Sequence, residues 1–333
     1  MFVVFFAVAE ILVRVAVPGG RLLRLTQLDK VLAGSKREQF MSTIEDDAET
    51  FWRFALDVEL PMDAEPFFGR ISNDQGLRER EHVVVPKPKD ELRVLFLGDS
   101  CTFGYLLDES QTFVAMTEKR LRGRFPNRRI ECINAGVPGY TAFQCLRKLE
   151  TEGFDYQPDV VVMQFGWNEK EVWDGRSDLE HYRALRACRP PGFFAASRLC
   201  QLLWTYAKWP ESSDDGSSRL SPAQFRHILR KIADTTSSKN VDFLLLVTGC
   251  RQNVAAQVLT PLQAEQLRFA KPRKWPGQGS AYVNAVTEFT RLTLQEKQPV
   301  ETLLFDEAHP TLAYSELIAD ALLKKLTAWI VAR

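Results

Sequence analysis

The sequence predicts an α/β protein in which helices cover both faces of a five-stranded parallel sheet, a three-layer α/β/α sandwich of the flavodoxin-like type. Apolar runs without polar alternation, at residues 160–163 and 243–247, are typical of central parallel strands. Helical patterns separate these runs, as the crossover connections of parallel strands require. The predicted strands are residues 92–97, 130–133, 160–165, 241–247 and 302–305, and the predicted helices are residues 110–123, 141–152, 221–237, 281–296 and 312–330.

The composition excludes several classes of function. The chain has 333 residues, and its 43 Lys and Arg residues equal its 43 Asp and Glu residues, so charge does not favour nucleic-acid binding. Its six cysteines lack a Cys-x-x-Cys pattern and a Cys/His ligand spacing, so a structural zinc site is not expected. No Gly-x-Gly-x-x-Gly or Walker loop follows the first predicted strand, which argues against a nucleotide-binding protein.

The first 20 residues are mostly apolar and end in Pro18-Gly19-Gly20. A membrane-spanning helix needs about 20 apolar residues, and Glu10 and Arg14 interrupt this shorter segment. The segment is interpreted as a truncated signal-anchor helix that attaches the chain to a membrane, with the α/β domain outside the cytoplasm. The alternative is a buried N-terminal helix in a cytoplasmic protein.

The rest of the chain is expected to form one α/β domain with two additions. Residues 21–90 lack a core pattern and are broken by Pro61 and Pro66, so they are predicted to be a lead-in packed on the domain at residues 91–333. The segment at residues 170–220 is too long for an ordinary connection and is predicted to be an insertion over the active-site edge of the sheet. Their many aromatic side chains either line a sugar or acyl pocket or form a satellite core.

The first predicted strand ends in Gly98-Asp99-Ser100, and a helical pattern follows. A strand that stops at a turn of small residues presents a side chain at the carboxyl edge of the sheet, where open α/β folds bind ligands. Ser100 is therefore a candidate nucleophile. A serine at such a turn is more often only a helix cap, so the prediction depends on three later motifs.

These three motifs also follow predicted strands. The backbone N–H of Gly136 and the side-chain amide of Asn168 can both donate to a developing oxyanion. Asp306 and His309 are spaced so that the carboxylate orients one imidazole nitrogen while the other takes a proton from a serine. Each motif alone has a turn or capping role as its alternative. Because the carboxyl ends of parallel strands meet at one edge, their shared position predicts a single site.

The four motifs resemble the four sequence blocks of the SGNH (GDSL) hydrolase superfamily, over residues 92 to about 330. The resemblance implies the SGNH hydrolase fold, with Ser100 as nucleophile, His309 as general base and Asp306 as its orienting partner. It also implies an oxyanion hole made by the N–H groups of Ser100 and Gly136 and by the side chain of Asn168.

Further residues within and around the four motifs also bear on the resemblance. The residues around Gly136 and His309 look like those of a bacterial branch with an N-terminal membrane anchor. Two positions depart from the usual pattern, because Glu169 stands where Asp is common and Cys101 where an apolar residue such as Leu is frequent. In this family Asp99 supports the turn without a chemical role. The other histidines, His82, His181 and His227, are interpreted as surface or packing residues.

The resemblance implies a serine hydrolase that cleaves short acyl or O-acetyl carboxylic esters through an acyl-enzyme on Ser100 and requires no metal or organic cofactor. The expected substrate is a small acyl ester or an O-acylated glycan. An O-acyltransferase that passes the acyl group to a sugar hydroxyl is a second interpretation, which product analysis with added glycan would distinguish. A non-catalytic glycan-binding protein of the same fold is a third, and the joint presence of Ser100, Asn168, Asp306 and His309 argues against it.

Overall fold

The computed structural model describes residues 2–16, 40–64, 67–172, 175–188, 190–208, 216–276 and 279–333. The chain divides into two compact units. Unit 1 comprises Met1–Ala55 and Lys170–Ser221, and unit 2 comprises Leu56–Glu169 and Pro222–Arg333.

Strands and helices are numbered in chain order over the described residues. The strands are β1 (Ile44–Asp47), β2 (Phe51–Phe54), β3 (Glu59–Leu60), β4 (Gly69–Arg70), β5 (Glu91–Gly98), β6 (Arg129–Asn134), β7 (Val160–Gln164), β8 (Asp242–Val247) and β9 (Tyr282–Asn284). The helices are α1 (Phe2–Ala16), α2 (Ser100–Phe103), α3 (Phe113–Arg124), α4 (Ala142–Thr151), α5 (Asp178–Ala187), α6 (Arg198–Lys208), α7 (Pro222–Ser238), α8 (Arg251–Ala256), α9 (Pro261–Ala270), α10 (Ala285–Thr290) and α11 (Leu312–Val331). Short 3₁₀ turns lie at Glu109–Gln111, Gly153–Tyr156, Asn168–Lys170, Gly192–Ala196 and Val300–Thr302, and a π turn lies at Arg291–Gln295.

Unit 2 is built on a five-stranded sheet with the strand order β6-β5-β7-β8-β9. Every neighbouring pair is parallel, and the interior strand β5 pairs Leu95 with Ile133 of β6 and with Val161 of β7. The strands β5, β7 and β8 are buried almost throughout, as their unbroken apolar runs predict. The predicted five-stranded parallel α/β fold is confirmed.

Helices cover both faces of this sheet. Val94 and Phe96 of β5 belong to one apolar cluster with residues of α3 and α11, while Leu95 lies against Gly153 on the other face. Helices α4, α7 and α9 pack together with strands β5 and β8. The alternation of strand side chains between the two faces therefore gives each helical layer its own buried interface.

The fifth strand is not where the sequence predicts it. Residues 302–305 were expected to be a strand, but Thr302 and Leu303 donate their N–H groups back to Pro299 and Val300 in a 3₁₀ turn. The edge strand is instead β9, which lies inside the segment predicted as a helix over residues 281–296. Its three residues are too few to disturb the helical periodicity of that segment.

Part of the predicted lead-in contributes to the core of unit 2. Ile71, Leu77 and Val83 are almost completely buried. The N–H of Arg78 donates to the carbonyl of Asn134 at 2.9 Å, at the end of β6. Residues 56–90 therefore help to fix the loop that follows β6, while the residues before them fall in unit 1.

Unit 1 combines the N-terminal part of the chain with the predicted insertion. Strands β1 and β2 form an antiparallel hairpin whose Phe51 and Trp52 are buried. Below them the fully buried side chains of Asp178 and Arg219 form an ion pair with a 3.0 Å contact. Burial lowers the pKa of His181 to about 3, with nearby arginines acting in the same direction, so this histidine packs as a neutral ring. Trp173 and Trp209 of the predicted insertion lie outside the described residues.

Helix α1 is attached to helix α6 within unit 1. The Glu10 carboxylate accepts the N–H groups of Arg198 and Leu199 at 2.9 and 2.8 Å, and also the Ser197 hydroxyl at 2.7 Å. Glu10 thus supplies acceptors for N–H groups at the start of α6 that have no partner within the helix. Among the described residues no helix is long and apolar enough to cross a membrane.

Candidate active site

The turn after β5 presents Ser100 at the carboxyl edge of the sheet. Asp99 is the N-cap of α2, and its carboxylate accepts the N–H of Cys101 at 2.9 Å. Burial raises the pKa of Asp99 to about 6, although this hydrogen bond acts in the opposite direction. Ser100 is the first residue of the helix and is partly exposed, so its N–H lies where the helix offers no acceptor. Asp99 therefore supports the turn, while Ser100 faces the surface.

The close approach of backbone and side chains explains the glycine of this turn. A Cβ at Gly98 would lie 2.1 Å from Oγ1 of Thr102 and 2.5 Å from the carbonyl oxygen of Gln164. Such distances are far inside van der Waals contact, so no other residue fits without moving β7 or α2.

His309 and Asp306 complete a line of hydrogen bonds that begins at Ser100. Nε2 of His309 lies 2.7 Å from Oγ of Ser100, and Nδ1 lies 2.7 and 2.9 Å from the two carboxylate oxygens of Asp306. Burial acts to raise the pKa of Asp306, but hydrogen bonds from His309 and from the N–H of Ala308 hold it well below its usual range. The carboxylate is therefore ionised and fixes the Nδ1–H tautomer of the imidazole.

Backbone and side-chain contacts hold the loop that carries this pair. Arg251 donates from its N–H to the carbonyl of Glu307 and from Nε to the carbonyl of Asp306, each at 2.9 Å. The Cys101 thiol lies 3.5 Å from the carbonyl oxygen of Ala308. The Tyr105 ring lies against the imidazole of His309, with 4.3 Å between ring centroids.

The motif after β6 contains two glycines with different surroundings. The Gly136 N–H donates to Oδ1 of Asn134 at 3.1 Å, and Gly136 is buried. A Cβ there would lie 2.5 Å from the backbone nitrogen of Phe103, so Gly136 lets α2 approach closely. The prediction that its N–H donates to an oxyanion is therefore not supported. Gly139, with a φ of 81°, is the only residue between Asn134 and Thr141 that is not buried.

The motif after β7 places Asn168 beside the loop that follows β6. Its side-chain amide donates to the carbonyl of Tyr140 at 3.0 Å, which leaves the second amide hydrogen for another acceptor. Glu169 is fully buried, and its Oε1 accepts the N–H of Ala142 at the start of α4 at 2.8 Å. The longer carboxylate found here in place of Asp therefore joins the second and third motifs.

A buried polar network that motif reasoning does not reveal lies beneath Ser100. The Thr102 hydroxyl donates to Oε1 of Gln164 at 3.1 Å, and Nδ2 of Asn134 donates to the Thr102 carbonyl at 2.9 Å. Further along the same edge, Nε2 of Gln266 donates to the carbonyl of Phe165 at 2.8 Å. These residues tie β6, β7 and α9 to the nucleophile turn, and their polar character at predicted core positions is the signal that could have identified them.

The exposed rim of the site combines chemical and aromatic groups. Ser100, Tyr105, Gly139, Trp167, Asn168 and His309 are all partly exposed. In the part of the chain that the structure describes, no group of three His, Cys, Asp or Glu side chains is placed to hold a metal ion. Together these residues can activate the Ser100 hydroxyl for attack on a substrate, with N–H donors beside it.

Residues 96–314 match the model of the GDSL-like Lipase/Acylhydrolase family, which is about two-thirds of the chain. The chain belongs to this family. Enzymes of the GDSL-like family hydrolyse acyl esters, so the predicted ester-hydrolysing activity is confirmed at the level of the family. No curated protein matches the sequence.

Several solved structures are similar to this GDSL-like chain. A two-domain esterase (CEX) active on acetylated mannans has 18% identity and a TM-score of 0.46, and the match covers 71% of this chain and 49% of that one. LAE5, an α/β hydrolase enzyme from the metagenome of Lake Arreo, has 20% identity and a TM-score of 0.48, and the match covers 72% of this chain and 96% of that one. An acetyl xylan esterase from Geobacillus stearothermophilus has 17% identity and a TM-score of 0.46, and the match covers 71% of this chain and 94% of that one. The chain thus spans about half the length of the two-domain esterase.

Proposed function

We propose that the protein hydrolyses carboxylic esters through a covalent acyl-enzyme on Ser100. The observation that carries this proposal is the line of contacts from Oγ of Ser100 through both nitrogens of His309 to the carboxylate of Asp306, with 2.7 Å at each junction. A serine hydroxyl is a weak nucleophile unless an oriented base takes its proton. His309 is within hydrogen-bond reach of that proton, and Asp306 orients the ring.

The steps follow from this geometry. Nε2 of His309 takes the hydroxyl proton as Oγ of Ser100 forms a bond to the ester carbonyl carbon. The tetrahedral intermediate then collapses, the alkoxide leaves, and the proton on Nε2 passes to it, so an alcohol is released. Water next attacks the acyl carbon and gives a proton to Nε2 of His309. The second tetrahedral intermediate then collapses with cleavage of its bond to Oγ of Ser100, which takes that proton back as the carboxylic acid is released. The ionised carboxylate of Asp306 stabilises the imidazolium that forms in both halves.

Donors for the oxyanion come from three places around the nucleophile. We assign them to the N–H of Ser100 at the start of α2, the remaining amide hydrogen of Asn168, and the N–H of Gly139. Gly139 replaces the predicted Gly136 because Gly136 is buried and bonded within its own turn. Each such donor typically contributes about 3 kcal/mol to the transition state.

The proposed substrate is a short acyl ester, including an O-acetyl group on a glycan. Tyr105 and Trp167 are partly exposed aromatic side chains close in sequence to Ser100 and Asn168. Aromatic walls with a few convergent polar groups suit a small acyl group or a sugar ring. Acetylated mannan and acetylated xylan are suitable test polymers, since two structurally similar proteins act on acetylated glycans.

The test compares wild type with Ser100→Ala on p-nitrophenyl acetate and butyrate, with a fluorophosphonate label on both. Ser238→Ala, an exposed serine at the end of α7, is the matched control. We expect kcat and labelling to fall together in Ser100→Ala, by about 10⁴-fold or more, and to be unchanged in the control. A folded wild type that neither labels nor turns over would contradict the proposal. Free acetate released from the polymers indicates hydrolysis, whereas acetate moved to an added sugar indicates transfer.

A further inference from the structure

Exposed apolar side chains are concentrated on two helices of unit 1. Of the 20 large hydrophobic side chains that are exposed among the described residues, ten lie on α1 and α6. These ten are Val4, Phe5, Phe6, Val8, Ile11, Leu12, Val15, Leu203, Trp204 and Tyr206. Single exposed apolar residues are normal on a protein surface, but a contiguous group of this kind marks an interaction surface.

The apolar side chains of α1 form one continuous face. Val4, Val8, Ile11 and Val15 follow the spacing i, i+4, i+7 and i+11, which places them on the same side of a helix. Their exposed fractions are 67%, 50%, 61% and 75%. Glu10 lies on the opposite side and points to α6, so the apolar face is directed away from the helix that holds it.

This face is held in place rather than carried on a free tail. Three acceptor contacts join the Glu10 carboxylate to Ser197, Arg198 and Leu199, and Arg14 donates to both Glu10 and the carbonyl of Ala196. Although burial acts in the opposite direction, these hydrogen bonds lower the pKa of Glu10 to about 2. The contact therefore keeps its charge throughout the physiological pH range and holds α1 beside α6.

Basic residues border the apolar surface. Arg14 is about half exposed, and Lys208 is exposed at the end of α6. The sequence between the end of α1 and residue 40 contains five Lys and Arg residues and two Asp and Glu residues. Trp204 and Tyr206 add amphipathic rings, which are favoured at the level of lipid headgroups.

We propose that α1 and α6 seat unit 1 on a lipid bilayer that carries anionic headgroups. An apolar centre, aromatic rings and a basic border are the three features of a helix surface that binds such a membrane. Helix α1 is held along its side by the contacts of Glu10 and Arg14 with residues 196–199, which is the arrangement of a helix that lies in the plane of a membrane surface. The apolar face of α1 is accordingly placed at the boundary between headgroups and acyl chains.

The test uses a matched pair of valines in the full chain. Val15 and Val331 are exposed to nearly the same extent, 75% and 73%, and each lies near the end of a helix. Wild type, Val15→Asp and Val331→Asp are floated with vesicles of phosphatidylcholine alone or with about one-third phosphatidylglycerol. Hydrolysis of p-nitrophenyl acetate in solution is measured in parallel. Equal activity of the three proteins shows that all are folded and separates this test from that of the proposed function.

We expect wild type and Val331→Asp to float with the anionic vesicles, and less with the neutral ones. The partition of Val15→Asp into anionic vesicles should fall about tenfold, because a carboxylate enters the apolar face. Wild-type protein that stays at the bottom of the gradient with both kinds of vesicle overturns the proposal. Equal flotation of Val15→Asp and Val331→Asp with the anionic vesicles also overturns it. A doubled mass by light scattering without flotation would show that a second copy of the chain covers the surface. Flotation that does not depend on phosphatidylglycerol would overturn the role of the basic border.

Discussion

The two halves of the candidate site are supported in different ways. On the nucleophile side, Ser100 is followed by buried residues that pack closely on two glycines, through a side chain at one and through backbone atoms at the other. On the base side, Asp306 is 46% exposed in its side chain, and hydrogen bonds and one ring contact hold its loop. Packing therefore fixes the nucleophile, whereas polar contacts fix the base. Substitutions on the first side should reduce stability, and substitutions on the second should reduce activity.

The largest expected effect tests the base side. In Asp306→Asn the amide still accepts the N–H of Ala308, but it no longer stabilises the imidazolium or the required tautomer of His309. We expect kcat to fall by about 10³- to 10⁴-fold with little change in the free energy of unfolding, because the side chain is half exposed. Glu307→Gln changes the neighbouring exposed carboxylate and should keep wild-type kcat. A large loss of stability in Asp306→Asn would show that this side is also fixed by packing.

The second prediction tests the nucleophile side. Gly136→Ala places a methyl group 2.5 Å from the backbone nitrogen of Phe103, so we expect unfolding free energy to fall by about 3 kcal/mol. Gly123→Ala is the matched control, since no atom lies within 4 Å of its Cβ in helix α3. At position 123 alanine should raise the free energy of unfolding by about 0.5–1 kcal/mol. Denaturant midpoints measure both changes. Equal midpoints for the two variants would mean that α2 moves aside without cost.

The third prediction concerns the ring contact on the base. Tyr105→Leu removes the aromatic face from His309, whereas Tyr105→Phe keeps it. We expect kcat for p-nitrophenyl acetate to fall about tenfold in the leucine variant, because the imidazole is less well positioned. The phenylalanine variant should be close to wild type, and KM should change little in either. If both variants lose activity equally, the hydroxyl rather than the ring face is important.

The last prediction concerns a change of stability with pH on the nucleophile side. Burial raises the pKa of Glu79 to about 8, while its hydrogen bond from the N–H of Asn134 acts in the opposite direction. The unfolded chain loses this proton near pH 4.5 and the folded chain near pH 8, so Glu79 lowers stability progressively as pH rises between these values. In Glu79→Gln, whose amide oxygen still accepts that N–H, stability relative to wild type should rise by roughly 4 kcal/mol from pH 5 to pH 8.5, at about 1.4 kcal/mol for each unit of difference between the two pKa values. A constant difference across this range would show that Glu79 titrates normally.

The sequence predicts the parts of the site that follow long apolar strands. Ser100 and Asn168 follow β5 and β7, whose apolar runs identify them as strands. The second motif follows β6, whose apolar run is interrupted by Glu131. Asp306 and His309 follow a 3₁₀ turn and not the expected strand, because the N–H groups of a short run can bond locally as well as across a sheet. Their spacing alone indicated the pair.

Other features depend on packing that a single sequence does not express. Gly136 and Gly139 stand three residues apart in the same motif, and only burial and hydrogen bonding distinguish the two glycines. The contribution of Arg78 and Glu79 was missed because their charge is typical of an exposed segment. Their burial depends on contacts with Asn134, which is more than 50 residues away in the chain.

The distribution of cysteines gives the protein one natural labelling position. Five of the six thiols are buried, and burial holds the pKa of Cys101 well above its usual value, so that this thiol is protected from alkylation. Cys200 alone is partly exposed, and it lies in helix α6. A maleimide fluorophore applied to the unmodified folded chain should therefore attach in a one-to-one ratio at α6. The resulting conjugate reports on the polarity around that helix without any engineered residue.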